Sequence, residues 1–211
     1  METLDLLAEW LDLDLDRRSP IEIANVGRDG LAILFAKLGF TSGAEIGVEQ
    51  GLYSETLCKA NPDLRLHSID AWKAYSGYRD HVSQEKLDNF YKITADRLAA
   101  YNCEIIRAYS LDAVKQFDDG SLDFVYIDGN HELPFVVNDI IEWSKKVRVG
   151  GIVAGHDYYK SSRFDTKNHV TYAVNAYVLS YRITPWFLLG TKDIISGQVR
   201  DHMRSWMWVK A

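Results

Sequence analysis

The feature that most constrains the fold is a short apolar run that breaks at glycine and passes directly into a helical pattern. Ala44, Glu45, Ile46, Gly47 and Val48 read as a buried strand, Glu49-Gln50-Gly51 as a turn, and Leu52, Tyr53, Ser54, Glu55, Thr56 and Leu57 as the start of a helix. Such a unit aims the free N–H groups of the helix's first turn at the strand's carboxyl end, and glycines let a ligand approach the main chain closely. Gly47 and Gly51 stand four apart, which does not match the G-x-G-x-x-G of dinucleotide folds. An acidic residue leads instead, in the order Glu45, Gly47, Gly51, and that suits a cationic ligand without phosphate. The same unit is also common as plain architecture in α/β proteins, so the rest of the chain must decide.

The rest repeats the pattern. Strands are predicted at 65–69, 104–108, 122–127 and 152–155, separated by helical stretches, which implies right-handed crossovers and a mostly parallel sheet with helices on both faces. Two further strands, 185–190 and 205–209, are joined too briefly for a crossover helix and are expected to pair antiparallel. The expected fold is therefore a doubly wound, seven-stranded α/β sheet ending in an antiparallel strand. Ahead of it, an amphipathic pattern at 3–15 and a second helical segment at 29–38 predict an N-terminal helical extension over residues 1–40, serving as a lid or an oligomer contact, before a main domain at 41–211. A chain of 211 residues holds one such domain. Its net charge of −6 argues against a general grip on nucleic acid. No apolar run reaches the roughly 18 residues of a membrane span and the start lacks a basic signal region, so cytoplasmic residence is the expectation. Cys58 and Cys103 form no C-x-x-C pair and read as reduced structural thiols.

Chemistry-bearing residues gather at the predicted carboxyl ends of strands. Asp70 ends the second strand, where a carboxylate can accept hydrogen bonds from two ribose hydroxyls, or merely cap its own loop. Tyr109 and Ser110 end the third and offer a flat ring and a hydroxyl to a purine, or an N-cap to the next helix. Asp128 and Asp157 end the fourth and fifth strands. Side by side, they would repel unless a divalent cation, a proton or water relieved them. His131, three residues past Asp128, is the best-placed general base; His156 adjoins Asp157 as a ligand or a strut. A loop at 71–83 carrying Trp72, Tyr75, Tyr78, Arg79 and His81 suits a lid or binding surface, and one at 156–169 with Lys160, Arg163, Asp165 and Lys167 is a second place for substrate contact.

Taken jointly, Ala44–Gly51 with Ser54, Ile69-Asp70, Asp123–His131 and Gly150–Tyr158 resemble the class I S-adenosylmethionine-dependent methyltransferases, within them the group related to cephalosporin-pathway, macrocin-type and catechol O-methyltransferases. The resemblance implies a Rossmann-like methyltransferase fold in which Glu45, Gly47 and Gly51, with Ser54, frame the methionine moiety, Asp70 holds the ribose and Ser110 lies near the adenine. Asp128, also at the cofactor, and Asp157 match the family's metal ligands, with Mg2+ the expected ion. Tyr158 and His131 stand where the catechol branch has asparagine and lysine. The implied reaction is methyl transfer to a hydroxyl of a small-molecule acceptor, with His131 as base. A nicotinamide-dependent oxidoreductase on the same sheet and a non-catalytic S-adenosylmethionine-binding module are the alternatives.

Overall fold

The computed structural model describes residues 2–75, 83–159 and 168–211. Its centre is a parallel array in which β2 (Ser42–Ile46) lies between β3 (Arg65–Asp70) and β5 (Leu122–Ile127), with β4 (Cys103–Arg107) outside β3 and β6 (Val147–Gly155) outside β5. Beyond β6 the chain adds β8 (Ser205–Val209), antiparallel to its neighbours β6 and β7 (Phe187–Leu189), and then β1 (Ile21–Ile23) on the far side of β7. The order is β1-β7-β8-β6-β5-β2-β3-β4.

The sheet thus has eight strands where seven were expected. The additional one, β1, arises within the stretch assigned to the helical extension. Three residues are too few to carry a periodicity signal, although Ile21 and Ile23 are buried around an exposed Glu22 in a strand's alternation. Its sheet partner, β7, lies more than 160 residues away in sequence. The antiparallel end of the sheet is as expected. The first helix, α1 (Thr3–Leu11), stops earlier than its pattern suggested, because Asp12 turns into the left-handed region at φ 52°.

Alternation along β5 sorts its neighbours. Phe124 and Tyr126 face α1, α2 (Arg28–Lys37) and α3 (Leu52–Ala60), packing with Leu7, Phe35 and Leu57. Val125 and Ile127 face α6 (Leu133–Lys146) and α7 (Val170–Ser180), packing with Ile140, Trp143 and Val174. The helix α4 (Gln84–Leu98) covers Val48 and Trp72 through Leu87 and Phe90. A short helix, α5 (Ser110–Ala113), follows β4, with Tyr109 rather than Ser110 at its N-cap position. The order of winding reverses between β2 and β5, which are adjacent and parallel, so a crevice opens outside their carboxyl ends. Among the described residues no helix is long and apolar enough to cross a membrane.

Gly43 in β2 lies against the ring of Phe124, itself stacked on Phe35 with centroids 4.0 Å apart; a Cβ at Gly43 would fall 2.2 Å from ring carbons. Gly43→Ala is therefore expected to lower stability by about 1–3 kcal/mol through overpacking. Urea denaturation followed by far-UV circular dichroism checks this, a lower midpoint with an unchanged slope being the expected result.

Candidate active site

The crevice is built from four strand ends. Past Ile46 the chain turns at Gly47, φ 89°, and a Cβ there would sit 2.2 Å from the carbonyl oxygen of Asp128. The Gly47 amide donates to the carbonyl of Ile69 (2.9 Å) and the Asp128 amide to that of Ile46 (2.7 Å), which ties the ends of β2, β3 and β5 together. Asp70 shapes the next turn: Oδ2 accepts from the amides of Val48 and Glu49, both at 3.0 Å, and Oδ1 from that of Trp72 at 2.9 Å. A carboxylate has about four acceptor positions, so capacity remains toward a ligand.

These turns wall a cavity of about 900 Å3 lined by Glu45, Gly47, Asp70, Ser110, Asp128 and His131, among others. Glu45 is buried, accepts a short hydrogen bond from Ser54 Oγ and has Arg28 Nη2 3.9 Å away; burial, against these partners, pushes its carboxyl up to about 8. Ser54 stands behind the cavity wall, bonded to Glu45 and Ser68. Gly51, φ 75°, sits at the N-cap of α3, likewise outside the wall. Ser110 turns its hydroxyl inward to Asp139 on α6. Tyr75, whose ring lies 6.2 Å from those of Tyr109 and Phe135, forms an aromatic rim with them.

At the other end stands a charge cluster. The register pairs Ile127 with Gly155, setting Asp128 beside His156, and Asp157 turns back toward it from a left-handed φ of 61°. His131 Nε2, buried, lies 3.1 Å from Asp157 Oδ2 and 3.7 Å from Asp128 Oδ1 without the alignment of a hydrogen bond to either. His156 Nδ1 is 3.4 Å from Asp157 Oδ2, and its Nε2 meets Asp201 Oδ1 at 3.1 Å; Asp201 is held by Ser205. Burial pulls both rings down, but the carboxylates outweigh it and raise His131 to about 10 and His156 to about 9. Burial would raise Asp157 in turn, yet the two histidines hold it far below the usual carboxylate range. Arg28 completes the balance: Nη2 pairs with Asp128 Oδ2 at 2.9 Å, and the guanidinium lies over the rings of Tyr53 (4.2 Å) and Tyr126 (5.3 Å).

Asp128, His131 and Asp157 can each turn one ligand atom to a common point, within 4.8 Å of one another. The buried, unpartnered Nε2 and the nitrogen and oxygen donors fit a divalent cation. The two predicted carboxylates and His131 are thus brought together. Sequence reasoning missed Arg28, Asp139 and Asp201, which come from segments without a motif. The residues Tyr78, Arg79, His81, Lys160, Arg163, Asp165 and Lys167, expected to contact substrate, lie outside the described residues.

Residues 44–158 match the family described as the methyltransferase domain, and the chain belongs to that family. None of the curated proteins compared matches it in sequence. Among solved structures, it resembles the O-methyltransferase TomG of Streptomyces achromogenes, involved in tomaymycin synthesis and solved with S-adenosylmethionine: 20% identity over 100% of this chain and 91% of that one, TM-score 0.61. An O-methyltransferase of Bacillus cereus in complex with S-adenosylhomocysteine has 17% identity over 99% of this chain and 89% of that one, TM-score 0.59. These likenesses establish the fold. The resemblance read from the motifs holds, and the oxidoreductase alternative is set aside.

The folded protein holds the imidazole protons more tightly than the unfolded chain. Their contribution to stability is complete below about 6.5 and fades as pH rises toward about 10. In chelator-treated protein, the NMR titration midpoint of His131 is expected well above the ordinary histidine range, and Asp157→Asn should return it toward that range. A wild-type midpoint near 6.5 would show that the carboxylates do not hold the proton.

Proposed function

We propose that this methyltransferase moves a methyl group from S-adenosylmethionine to a hydroxyl of a small-molecule acceptor, assisted by a divalent cation such as Mg2+. The observation that carries the reading is that one cavity joins the β2 turn and Asp70 at one end to Asp128 and His131 at the other, so that donor and proton acceptor share a chamber. Its volume of about 900 Å3 is in the range of cofactor sites. The presence of S-adenosylmethionine or S-adenosylhomocysteine in the two structures of like fold supports the same ligand here.

When bound, S-adenosylmethionine supplies an electrophilic methyl on a sulfonium, so that forming the O–C bond and breaking the C–S bond leave a neutral thioether. The protein's part is placement and proton removal. Glu45, Gly47 and Gly51 with Ser54 would shape and support the methionine end, and the negative charge of Asp128 suits a sulfonium. Asp70 would accept from the ribose hydroxyls with its remaining capacity. His131 would take the acceptor's proton, but as long as the charges of Asp128 and Asp157 go unneutralised its ring keeps a proton of its own. A divalent cation held by Asp128 and Asp157 would supply that neutralising charge and polarise an acceptor hydroxyl, leaving His131 Nε2 free to act as the base. Arg28 already offsets part of the charge of Asp128.

Isothermal titration with S-adenosylmethionine and S-adenosylhomocysteine, with and without Mg2+, tests the reading. Micromolar binding is expected, weakened roughly tenfold or more by Asp70→Ala through the loss of hydrogen bonds to a charged group. Turnover of a hydroxyl-bearing acceptor panel should fall on addition of a chelator and return with Mg2+. Absence of binding under every condition would sink the proposal.

A further inference from the structure

Asp139 is a buried carboxyl on the cavity wall that neither the motifs nor the charge cluster explains. It lies on α6, is 5% exposed, and among the described residues has a single hydrogen-bond partner. A buried carboxyl with so little support is costly unless something else satisfies it.

The indole Nε1–H of the fully buried Trp143 donates to Ser110 Oγ at 2.8 Å. An indole nitrogen can only donate, so Ser110 must accept there, and its own hydrogen goes to Asp139 Oδ1 at 2.5 Å. Oδ1 is therefore committed as an acceptor and the carboxyl is locked in orientation. No donor among the described residues reaches Oδ2, which lies beside Gly129; a Cβ built on that glycine would be 3.7 Å from it. Asp139 and Gly129 both line the cavity, alongside Tyr109, Leu111 and Phe135. A flat ring entering between these apolar groups would meet Oδ2 as an acceptor fixed in orientation. Burial pushes the carboxyl up to about 6, so that above this pH Oδ2 is an unpaired acceptor.

We propose that Asp139 is the specificity-determining residue for the purine, accepting a hydrogen bond at Oδ2 from the exocyclic 6-amino group of the cofactor's adenine, while Trp143 and Ser110 hold it in place. This rests on the S-adenosylmethionine reading above and adds the atom that distinguishes adenine from a 6-oxopurine. An acceptor that selects an amino group must reject a carbonyl, because two acceptors face each other and one stays unpaired.

The test is isothermal titration at pH 8 of wild-type protein and Asp139→Asn with S-adenosylhomocysteine and with S-inosylhomocysteine, in which oxygen replaces the amino group. In the variant, amide oxygen still accepts from Ser110 and the amide NH2 faces the cavity, so the preference should invert. Wild type is expected to favour the adenosyl compound by roughly tenfold or more, and the variant the inosyl compound. Thermal melts establish that the isosteric variant is folded. Unchanged preference in the variant overturns the proposal, and so does equal weakening of both ligands, which would mark Asp139 as merely structural. If wild type binds neither compound, the cofactor reading itself fails and this inference falls with it.

Discussion

Everything at the functional end of the molecule depends on how closely the turns after β2 and β5 approach each other. At Gly47 the two main chains are in contact, with no room for even one methyl group beside the carbonyl of Asp128. Because these strands are neighbours at the point where the sheet's winding reverses, no helix separates them, and whatever leaves their carboxyl ends must share one crevice. The turn at Gly47 and Asp128 are consequently fixed relative to each other by main-chain hydrogen bonds. Flexible loops have no part in that spacing.

The second organising constraint is electrostatic. Asp128 and Asp157 could not stand side by side in a half-buried cleft without positive partners, and the fold gathers three: His131 from the loop after β5, His156 from the end of β6, and Arg28 from the first turn of α2. Each arrives from a different element. Asp201 extends the balance one layer further by holding the outer nitrogen of His156, and Ser205 holds Asp201 in turn. A network so connected resists piecemeal change, since removing one member leaves another charged and unpaired.

Much of this was legible in the sequence, for a definite reason. Strand ends in a parallel sheet all point to one edge, so the residues that follow each apolar run, Asp70, Asp128, His131 and Asp157, can be assigned to a common crevice before any contact is known. Strand β1 was not legible, because three residues cannot establish a periodicity. Arg28 and Asp139 were hidden for a different reason. Each lies in a helix whose pattern is explained by burial alone, and the significance of one polar residue on such a helix depends on which neighbour the tertiary fold brings to it. Ser110 shows the same limit from the other side: its position is readable, but the inward direction of its hydroxyl follows from Trp143 and Asp139.

The pairing of β1 with β7 ties the two ends of the chain to the chemistry between them. Arg28 follows β1 by only a few residues, and β1 is held in the sheet by β7, which is itself anchored through β8 to β6. During synthesis, then, a nascent chain that has already produced the turn at Gly47, Asp70, Asp128 and His131 still lacks the strands that seat Arg28 and the Asp201 that steadies His156. The contacts concerned span nearly the whole sequence and close late. Until β7 and β8 have been added, Asp128 would lack Arg28 and His156 would lack Asp201, so the outer layer of the charge balance closes after the histidines are in place.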